Sequence, residues 1–238
     1  MIDEILLGLI TFFTSTVAGV VGIGGGMMLI AILPSFLPLN ALIPVHGLTQ
    51  MSSNLSRAVF GYKDVKVETI PKFLLGSICG IALFASILYF ISLDYVPLFI
   101  GIYILLSLWS KKFNEKIKRY ESYFLAGFFQ TGLSIVVGAT GPLTMTLLLK
   151  DYKDKHIVVA TGAALMSITH TLKVFVFIFF GFVFFDYIGI LIAMIIGAVA
   201  GSWVGTKLRD KIDGKRFVLL LKILLSALAV KLIIGLLW

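Results

Sequence analysis

Apolar stretches of about 20 residues follow one another along almost the whole chain, and each is long enough for one helical crossing of a hydrocarbon core about 30 Å thick. The strands of a membrane barrel would instead alternate in polarity over about ten residues. Only 13% of the residues are charged, compared with about 25% in soluble domains. The sequence therefore predicts an all-α polytopic membrane protein.

The charged residues argue against several classes of function. The net charge is +8, but the basic residues lie in short loops between apolar segments, so nucleic acid is not an expected partner. All acidic residues lie in loops or at segment ends, which argues against a carboxylate proton relay and against a metal-dependent membrane enzyme. The single Cys79 excludes an internal disulfide and a cysteine-based metal site. We expect no cofactor and no metal.

Two apolar segments are interrupted by residues that break helices. The first interruption contains Gly22, Gly24, Gly25 and Gly26, and the second occupies residues 138–142. The segments lie at 4–37, 41–62, 73–92, 95–110, 121–149, 157–182, 187–206 and 217–238. The first and the fifth of them contain the interruptions.

The basic loops constrain the topology. Lys and Arg are concentrated in the connections 63–72, 111–119, 150–155 and 207–216, and they are absent from those near 37–41, 92–96 and 183–187. Basic loops stay in the cytoplasm. If all eight segments crossed the membrane, the basic loops would be divided between its two sides. If the two interrupted segments are re-entrant hairpins, every basic loop is cytoplasmic, so we predict six crossings and two hairpins in the inner membrane.

The two hairpins align as an internal repeat. Val20–Gly26 falls on Val136–Pro142, which is an offset of 116 residues, and the same offset places Ser53–Arg57 on Thr169–Lys173. We expect a first repeat at 1–119 and a second at 120–238, each with one hairpin and three crossings. Because three is odd, the second copy is inverted, as in many secondary transporters.

Small residues also recur outside the hairpins. Gly76 and Gly80 are spaced by four, as are Gly197, Gly201 and Gly205. This spacing is typical of helices that pack closely in membranes. We interpret these glycines as packing residues.

Two cations lie deep within apolar segments. They are Arg57 and Lys173, at equivalent positions of the repeat. With no carboxylate at that depth, an anionic ligand is the natural counter-charge, and snorkelling to the interface is the alternative. Asn54 and His170 each precede a cation by three residues and share its helix face, where they would orient the ligand or, alternatively, bond to other helices.

The remaining cations and histidines are given simpler interpretations. His170 is expected to be the only deep group that titrates near neutral pH, so any proton coupling would use it. His46 is expected at the outer interface and His156 in solvent. Lys222 and Lys231, in the last segment, are expected to snorkel.

The glycine-rich break predicts an anion site. A hairpin that turns there leaves a helix beginning near Gly25 or Gly26, whose free N–H groups and positive dipole end attract an anion. We therefore expect Gly24, Gly25 and Gly26 to contact the ligand. In the second hairpin the corresponding residues are Thr140 and Gly141. The alternative is that these glycines only permit close packing.

These residues resemble the TauE/SafE family, which includes sulfite and sulfonate exporters. The similarity lies in AGVVGIGGGMMLIAILPSF, GATGPLTMTLLL, ATGAALMSITHTLKV and GAVAGSWVGTKLRDKI, and it extends over nearly the whole chain. The second motif has Gly-Ala-Thr-Gly-Pro in place of a glycine run. The resemblance implies a transporter of a small anion such as sulfite or sulfoacetate.

We therefore expect a secondary transporter, and specifically an exporter, that works by alternating access between inverted repeats. An anion-selective channel with the same site is the principal alternative, and a membrane-embedded enzyme or assembly factor is a weaker one. The expected partners are a small anion and the lipid bilayer. A homodimer is compatible with the sequence.

Overall fold

The chain forms an all-helical membrane-type fold. The computed structural model describes residues 2–88, 92–112, 115, 122–212 and 214–235, and no strand occurs among them. The expected class, a helical protein with several long apolar helices, is confirmed. The helices are α1 (Ile2–Val21), α2 (Gly25–Ile32), α3 (Leu39–Phe60), α4 (Ile70–Leu88), α5 (Val96–Trp109), α6 (Tyr123–Val137), α7 (Pro142–Asp151), α8 (Lys155–Phe179), α9 (Ile188–Leu208) and α10 (Gly214–Ile234).

The helices follow the predicted segments to within a few residues. Several predicted features extend outside the described residues: the ends of 73–92 and 217–238, the start of 121–149, most of loop 111–119, and the repeat boundary between 119 and 120. Within the described ranges, four helices are long and apolar enough to cross a membrane: Ile2–Val21, Val67–Ile87, Lys155–Phe179 and Phe184–Leu208.

The arms of the first hairpin are unequal. The helix α1 has 20 residues, whereas α2 has 8. At 1.5 Å per residue α1 is about 30 Å long, so it can cross the membrane by itself. The break in segment 4–37 therefore separates one long helix from one short helix.

Both predicted interruptions are helix ends with a left-handed glycine. Gly22 has φ +88° and Gly138 has φ +76°. The amide of Gly22 donates to the carbonyl of Ala18 at 2.8 Å, and the amide of Gly138 donates to Ser134 at 3.0 Å. A glycine in this conformation ends a helix without steric cost. The two breaks therefore have the same local geometry at equivalent positions of the sequence.

The chain then turns back on itself. The first turn of α2 lies so close to α1 that a Cβ on Gly25 would be 2.1 Å from the carbonyl oxygen of Thr14. Leu29 and Ile30, further along α2, are fully buried. The break and the short helix are thus enclosed by protein, which is where irregular backbone is tolerated at membrane depth.

Close glycine contacts hold α1 against α9 and α4 against α6. At four of the five predicted packing glycines a Cβ would lie only 1.9–2.2 Å from a carbonyl oxygen of the other helix: Gly76 at Phe124, Gly80 at Phe128, Gly197 at Gly8 and Gly201 at Phe12. The prediction that these glycines permit close packing is confirmed. A larger residue would force the helices apart.

The basic connections meet at one end of the molecule. The Tyr152 hydroxyl donates to Glu68 at 3.3 Å, and Lys155 Nζ lies 2.6 Å from an Asp210 oxygen. These contacts bring together the connections 63–72, 150–155 and 207–216, and we call this region the basic end. Away from the basic end, Lys231 Nζ contacts Ser35 Oγ at 3.0 Å. Both residues line a cavity that Leu39 and Asp94 also line.

Candidate functional site

A cavity of about 40 Å³ lies where the two hairpin breaks approach α3 and α8. Most of the residues that we expected to contact an anion line it: Gly24, Gly25, Gly26, Asn54, Arg57, Gly141 and His170. Thr140 and Lys173 do not. The lining also includes residues that our site prediction did not contain, among them Gln50, Thr144, Met145 and Met166. No carboxylate is among the described residues that line this cavity, which we call the central cavity.

The N-terminus of α2 opens into the central cavity. Gly24, with φ +93°, precedes the helix, and no side chain caps it. The first bond of the helix runs from the amide of Met28 to the carbonyl of Gly24 at 2.8 Å. The amides of Gly25, Gly26 and Met27 therefore have no acceptor within the helix. They place the positive end of the helix dipole at the cavity wall.

Arg57 has donors without an acceptor in the described part of the chain. The side chain is 3% exposed, and one of its terminal nitrogens donates to the Asn54 side-chain oxygen. Its Nε and Nη1 atoms are buried and have no partner among the described residues. Asn54 in turn donates to the Gln50 carbonyl at 2.7 Å, which holds its oxygen toward the guanidinium. An unpaired buried cation is costly unless an anion binds to it.

Two histidines lie together beside this guanidinium. His170 lines the central cavity, is 1% exposed, and has a buried Nδ1 atom without a partner among the described residues. The His46 ring packs edge-on against it, with ring centroids 5.7 Å apart. His46 Nε2 lies 2.9 Å from the Gly26 carbonyl, and because a carbonyl only accepts, that nitrogen carries the hydrogen.

The interfacial interpretation of His46 is wrong. The side chain is fully buried, because α2 and α8 cover the first half of α3. His170 is therefore accompanied by a second deep imidazole, which the sequence analysis did not anticipate.

Lys173 is also fully buried, so it does not snorkel. Its Nζ donates to the Gly138 carbonyl at 2.7 Å and lies 3.5 Å from the Ser134 carbonyl. These carbonyls end α6, where the helix dipole is negative. Lys173 thus stabilises the break of the second hairpin instead of lining the central cavity.

Gln130 joins the two arms of the second hairpin. Its side-chain oxygen accepts from the amide of Thr144 at 3.1 Å and from the Thr144 hydroxyl, while its backbone carbonyl accepts from the Thr140 hydroxyl at 2.9 Å. The amide of Leu143 donates to Thr140. The start of α7 consequently has few free donors. We expected similar anion contacts from both hairpins. The first hairpin exposes the amides at the start of α2 to the cavity, whereas the second hairpin uses the amides at the start of α7 in its own hydrogen bonds.

Sequence analysis gave no sign of Gln130. A single glutamine in an apolar segment has no periodic pattern. Only its position in the first arm of the second hairpin, before the break, could have suggested that it bridges the two arms. Among the described residues, no group of three His, Cys, Asp or Glu side chains is placed to hold a metal ion.

The fold and the central cavity are those of a multi-pass helical membrane protein with a buried cation that is unpaired within the described ranges. The chain belongs to the TauE/SafE sulfite exporter family, whose model matches residues 7–232. Comparisons with curated proteins and with solved structures gave no match. Members of this family are transporters rather than enzymes, so membership implies a membrane exporter of sulfite or a related anion. The resemblance found in the sequence is confirmed.

Proposed function

We propose that this protein is a secondary exporter of a compact sulfur oxyanion, with sulfite as the leading candidate, and that the anion binds in the central cavity. The observation that supports this most directly is the buried Arg57 guanidinium, two of whose nitrogens have no partner in the residues that the structure describes. It lies in a cavity lined by the open N-terminus of α2 and by no carboxylate among the described residues. An anion would satisfy both groups at once.

The size of the cavity favours a small ligand. Its volume is about 40 Å³, and one water-sized position takes about 10–15 Å³. A three-oxygen anion such as sulfite matches that space. Sulfoacetate and taurine add carbon atoms and a second charged group, so they would bind only if the cavity expanded.

Each predicted site residue has a proposed role. Gly24, Gly25 and Gly26 would bind the anion through backbone N–H groups, and Arg57 would supply charge, with Asn54 orienting it. Gly141 would let the backbone of the second hairpin approach the anion closely. His170, which lies beside His46, would transfer the coupling proton. Thr140 and Lys173 do not line the cavity and would act indirectly. Thr140 would fix the second hairpin, and Lys173 would add positive potential to the site.

We also propose that 1–119 and 120–238 are inverted repeats. The helix contacts support this, because Gly76 and Gly80 meet Phe124 and Phe128, whereas Gly197 and Gly201 meet Gly8 and Phe12. Phe124 and Phe128 follow Gly8 and Phe12 by 116 positions, which is the offset between the two hairpin motifs. Each half therefore packs its glycine-lined helix against the hairpin of the other half. Alternating access would then be a rocking of one half against the other.

The contacts at the basic end support the re-entrant hairpins. The hydrogen bond from Tyr152 to Glu68 joins a loop of the second proposed repeat to a loop of the first. Eight full crossings would separate these loops by the thickness of the membrane. We place the basic end in the cytoplasm and the protein in the inner membrane, because basic loops stay on the cytoplasmic side.

A binding measurement tests the proposal. Purified protein in detergent is melted with sulfite, sulfate, thiosulfate, sulfoacetate, taurine, acetate or phosphate. A ligand that binds only the folded state at 100 times its Kd stabilises it by about 2.7 kcal/mol. We expect the largest shift with sulfite, loss of the shift in Arg57→Ala, and no loss in Lys207→Ala, a control cation that lies against Trp203. An unchanged shift in Arg57→Ala would contradict the site.

Transport kinetics separate an exporter from an anion channel. In vesicles, alternating access gives saturable flux and counterflow, in which an internal unlabelled anion drives uptake of the labelled one. A channel with the same site gives neither. Dependence of the flux on a pH gradient, lost in His170→Gln, would support the proposed proton coupling.

A further inference from the structure

A second cavity adjoins the central cavity on the far side of the hairpin breaks. Its volume is about 270 Å³, and it lies between both hairpins, α5 and α10. It shares part of its lining with the central cavity: Ile23, Gly24, Met27, Pro142 and Met145. A single layer of residues therefore separates the two spaces.

The lining of this second cavity is electropositive. Lys222, on α10, contributes its only charge among the described residues, and Ser107 and Thr146 contribute hydroxyls. The Lys222 ammonium lies 5.8 Å from the centre of the Trp109 ring. In the described part of the chain no carboxylate is within salt-bridge distance of it. A lone cation in a low-dielectric recess raises the local concentration of anions.

The layer between the cavities includes the side chains of Met27 and Met145, which can move without the backbone. The terminal carbon of Met145 lies 2.7 Å from the point where a Cβ on Gly22 would be. A methyl of Leu221 lies 2.5 Å from the point where a Cβ on Gly24 would be. Glycine at both sites leaves room for these tips. Methionine has three rotatable bonds and adapts to irregular space. Rotation of Met145 would therefore join the two cavities.

The second cavity lies toward the basic end. Ser107 is in the last turn of α5, and Leu149 is in the last turn of α7. Lys222 comes soon after the start of α10, which follows the basic connection 207–216. In the orientation proposed above, this is the cytoplasmic side, where an exporter takes up its substrate.

From this we infer that the second cavity is the entrance vestibule of the transport path, in which Lys222 attracts the anion and Met145 closes the way to the central cavity. The inference rests on the proposed function, because it gives that central cavity an access route. The competing occupant of such a recess is a lipid chain, which would exclude water and charged molecules from it.

Cysteine accessibility tests the vestibule, since Cys79 is the single native cysteine and lies outside its lining. In a Cys79→Ser background, Ser107→Cys and Thr146→Cys place thiols in the vestibule. Leu106→Cys is the matched control: it lies at the same depth of α5, is 40% exposed, and is not part of the lining. Inside-out vesicles are treated with a charged, membrane-impermeant methanethiosulfonate and with membrane-permeant N-ethylmaleimide.

We expect the charged reagent to modify Ser107→Cys and Thr146→Cys and to block sulfite flux, while Leu106→Cys stays unmodified. Reaction of both vestibule thiols with N-ethylmaleimide alone would indicate a lipid-filled recess and overturn the inference. Equal reaction of all three thiols with the charged reagent would also overturn it. Sulfite-dependent stabilisation of the purified wild type is measured in parallel, so that failure of the central cavity is distinguished from failure of the vestibule.

A second variant gives an independent readout. Lys222→Gln should raise the apparent KM for sulfite by roughly three- to tenfold at low ionic strength, with kcat and the equilibrium Kd unchanged, because it weakens attraction and not the final contacts. The difference should disappear at high salt, where such attraction is screened. An unchanged KM at low salt, or an equal change in Kd, would contradict the role of Lys222.

Discussion

Arg57 and Lys173 occupy equivalent positions in the two halves of the sequence but have opposite surroundings. Lys173 donates to carbonyls that end α6, so its ammonium group has acceptors within the protein. Two Arg57 nitrogens have no such partner among the described residues. The same pattern in the sequence thus leads to one structural cation and one that is available to a ligand.

The first prediction follows for Arg57→Met. Removing an uncompensated buried charge should raise the melting temperature of the ligand-free protein, because a desolvated cation is replaced by an apolar chain of similar length. Sulfite binding should weaken at least about tenfold, as expected from the loss of charge-assisted hydrogen bonds. Melting curves with and without sulfite check both effects.

Lys173→Met should have the opposite effect on stability. The Gly138 and Ser134 carbonyls would lose their buried donor, at a cost of about 1–3 kcal/mol in the free energy of unfolding. Denaturation of the two methionine variants side by side is the measurement. Stability changes of the same sign in both would contradict the assignment of different roles to these cations.

At the scale of elements, the two hairpins reach similar bends through different chemistry. In the first, the backbone of α2 touches that of α1 at Gly25, whereas in the second, Gln130 spans the arms. This explains why the second motif lacks the glycine run. It also explains why only the first hairpin has open amides at the central cavity.

A pair of alanine substitutions tests this difference. Gly25→Ala would place a methyl 2.1 Å from the Thr14 carbonyl, so the hairpin must open and the protein should lose several kcal/mol of stability or fail to fold. Gly141→Ala has 3.8 Å to its nearest neighbour, an atom of Met166, and should fold as the wild type does. Yields and melting temperatures are compared, and equal losses would refute the contrast.

The elements and the site differ in how far the sequence predicted them. Helix positions and the breaks at Gly22 and Gly138 were predictable, because apolar length and glycine act locally. The direction of the Lys173 side chain was not, since a long flexible chain can reach either the cavity or the end of α6. The bridging by Gln130 depends on contacts between helices, which leave no periodic trace in one sequence.

At the scale of the whole molecule, charged groups at the basic end tie distant segments together. Asp210 contacts Lys155 at 2.6 Å and His156 at 3.2 Å. Arg209 donates to the Gly19 carbonyl at 3.0 Å and is 4% exposed. These contacts join the ends of α9 and α1 to the beginning of α8. They tie these three helix ends to one another.

The Asp210 contacts have a defined pH dependence. The hydrogen bond from Lys155, together with the charges of His156 and Lys155, lowers the pKa of the Asp210 carboxyl below its usual range. A lowered folded-state pKa means that its contribution is complete above the unfolded pKa of about 3.9 and is lost as the pH falls through the folded value. Stability from this group should therefore be constant from pH 5 to 8 and decline only below about pH 4.

Asp210→Asn is the corresponding variant. Because the carboxylate is exposed, the change at neutral pH should be small. The decline in melting temperature below about pH 4 should become shallower than in the wild type. An equally steep acid decline in the variant would show that other carboxylates control it.

The bond from Arg209 to Gly19 joins residues 190 positions apart. At about 5–20 residues per second, a ribosome needs roughly 10–40 seconds to synthesise that length of chain. During this interval α1 has entered the bilayer without α9, so the backbone of α1 at Gly8 and Phe12 lacks the glycine-lined helix that covers it in the finished fold. The packing of the first helix therefore stays incomplete until one of the last helices has been synthesised.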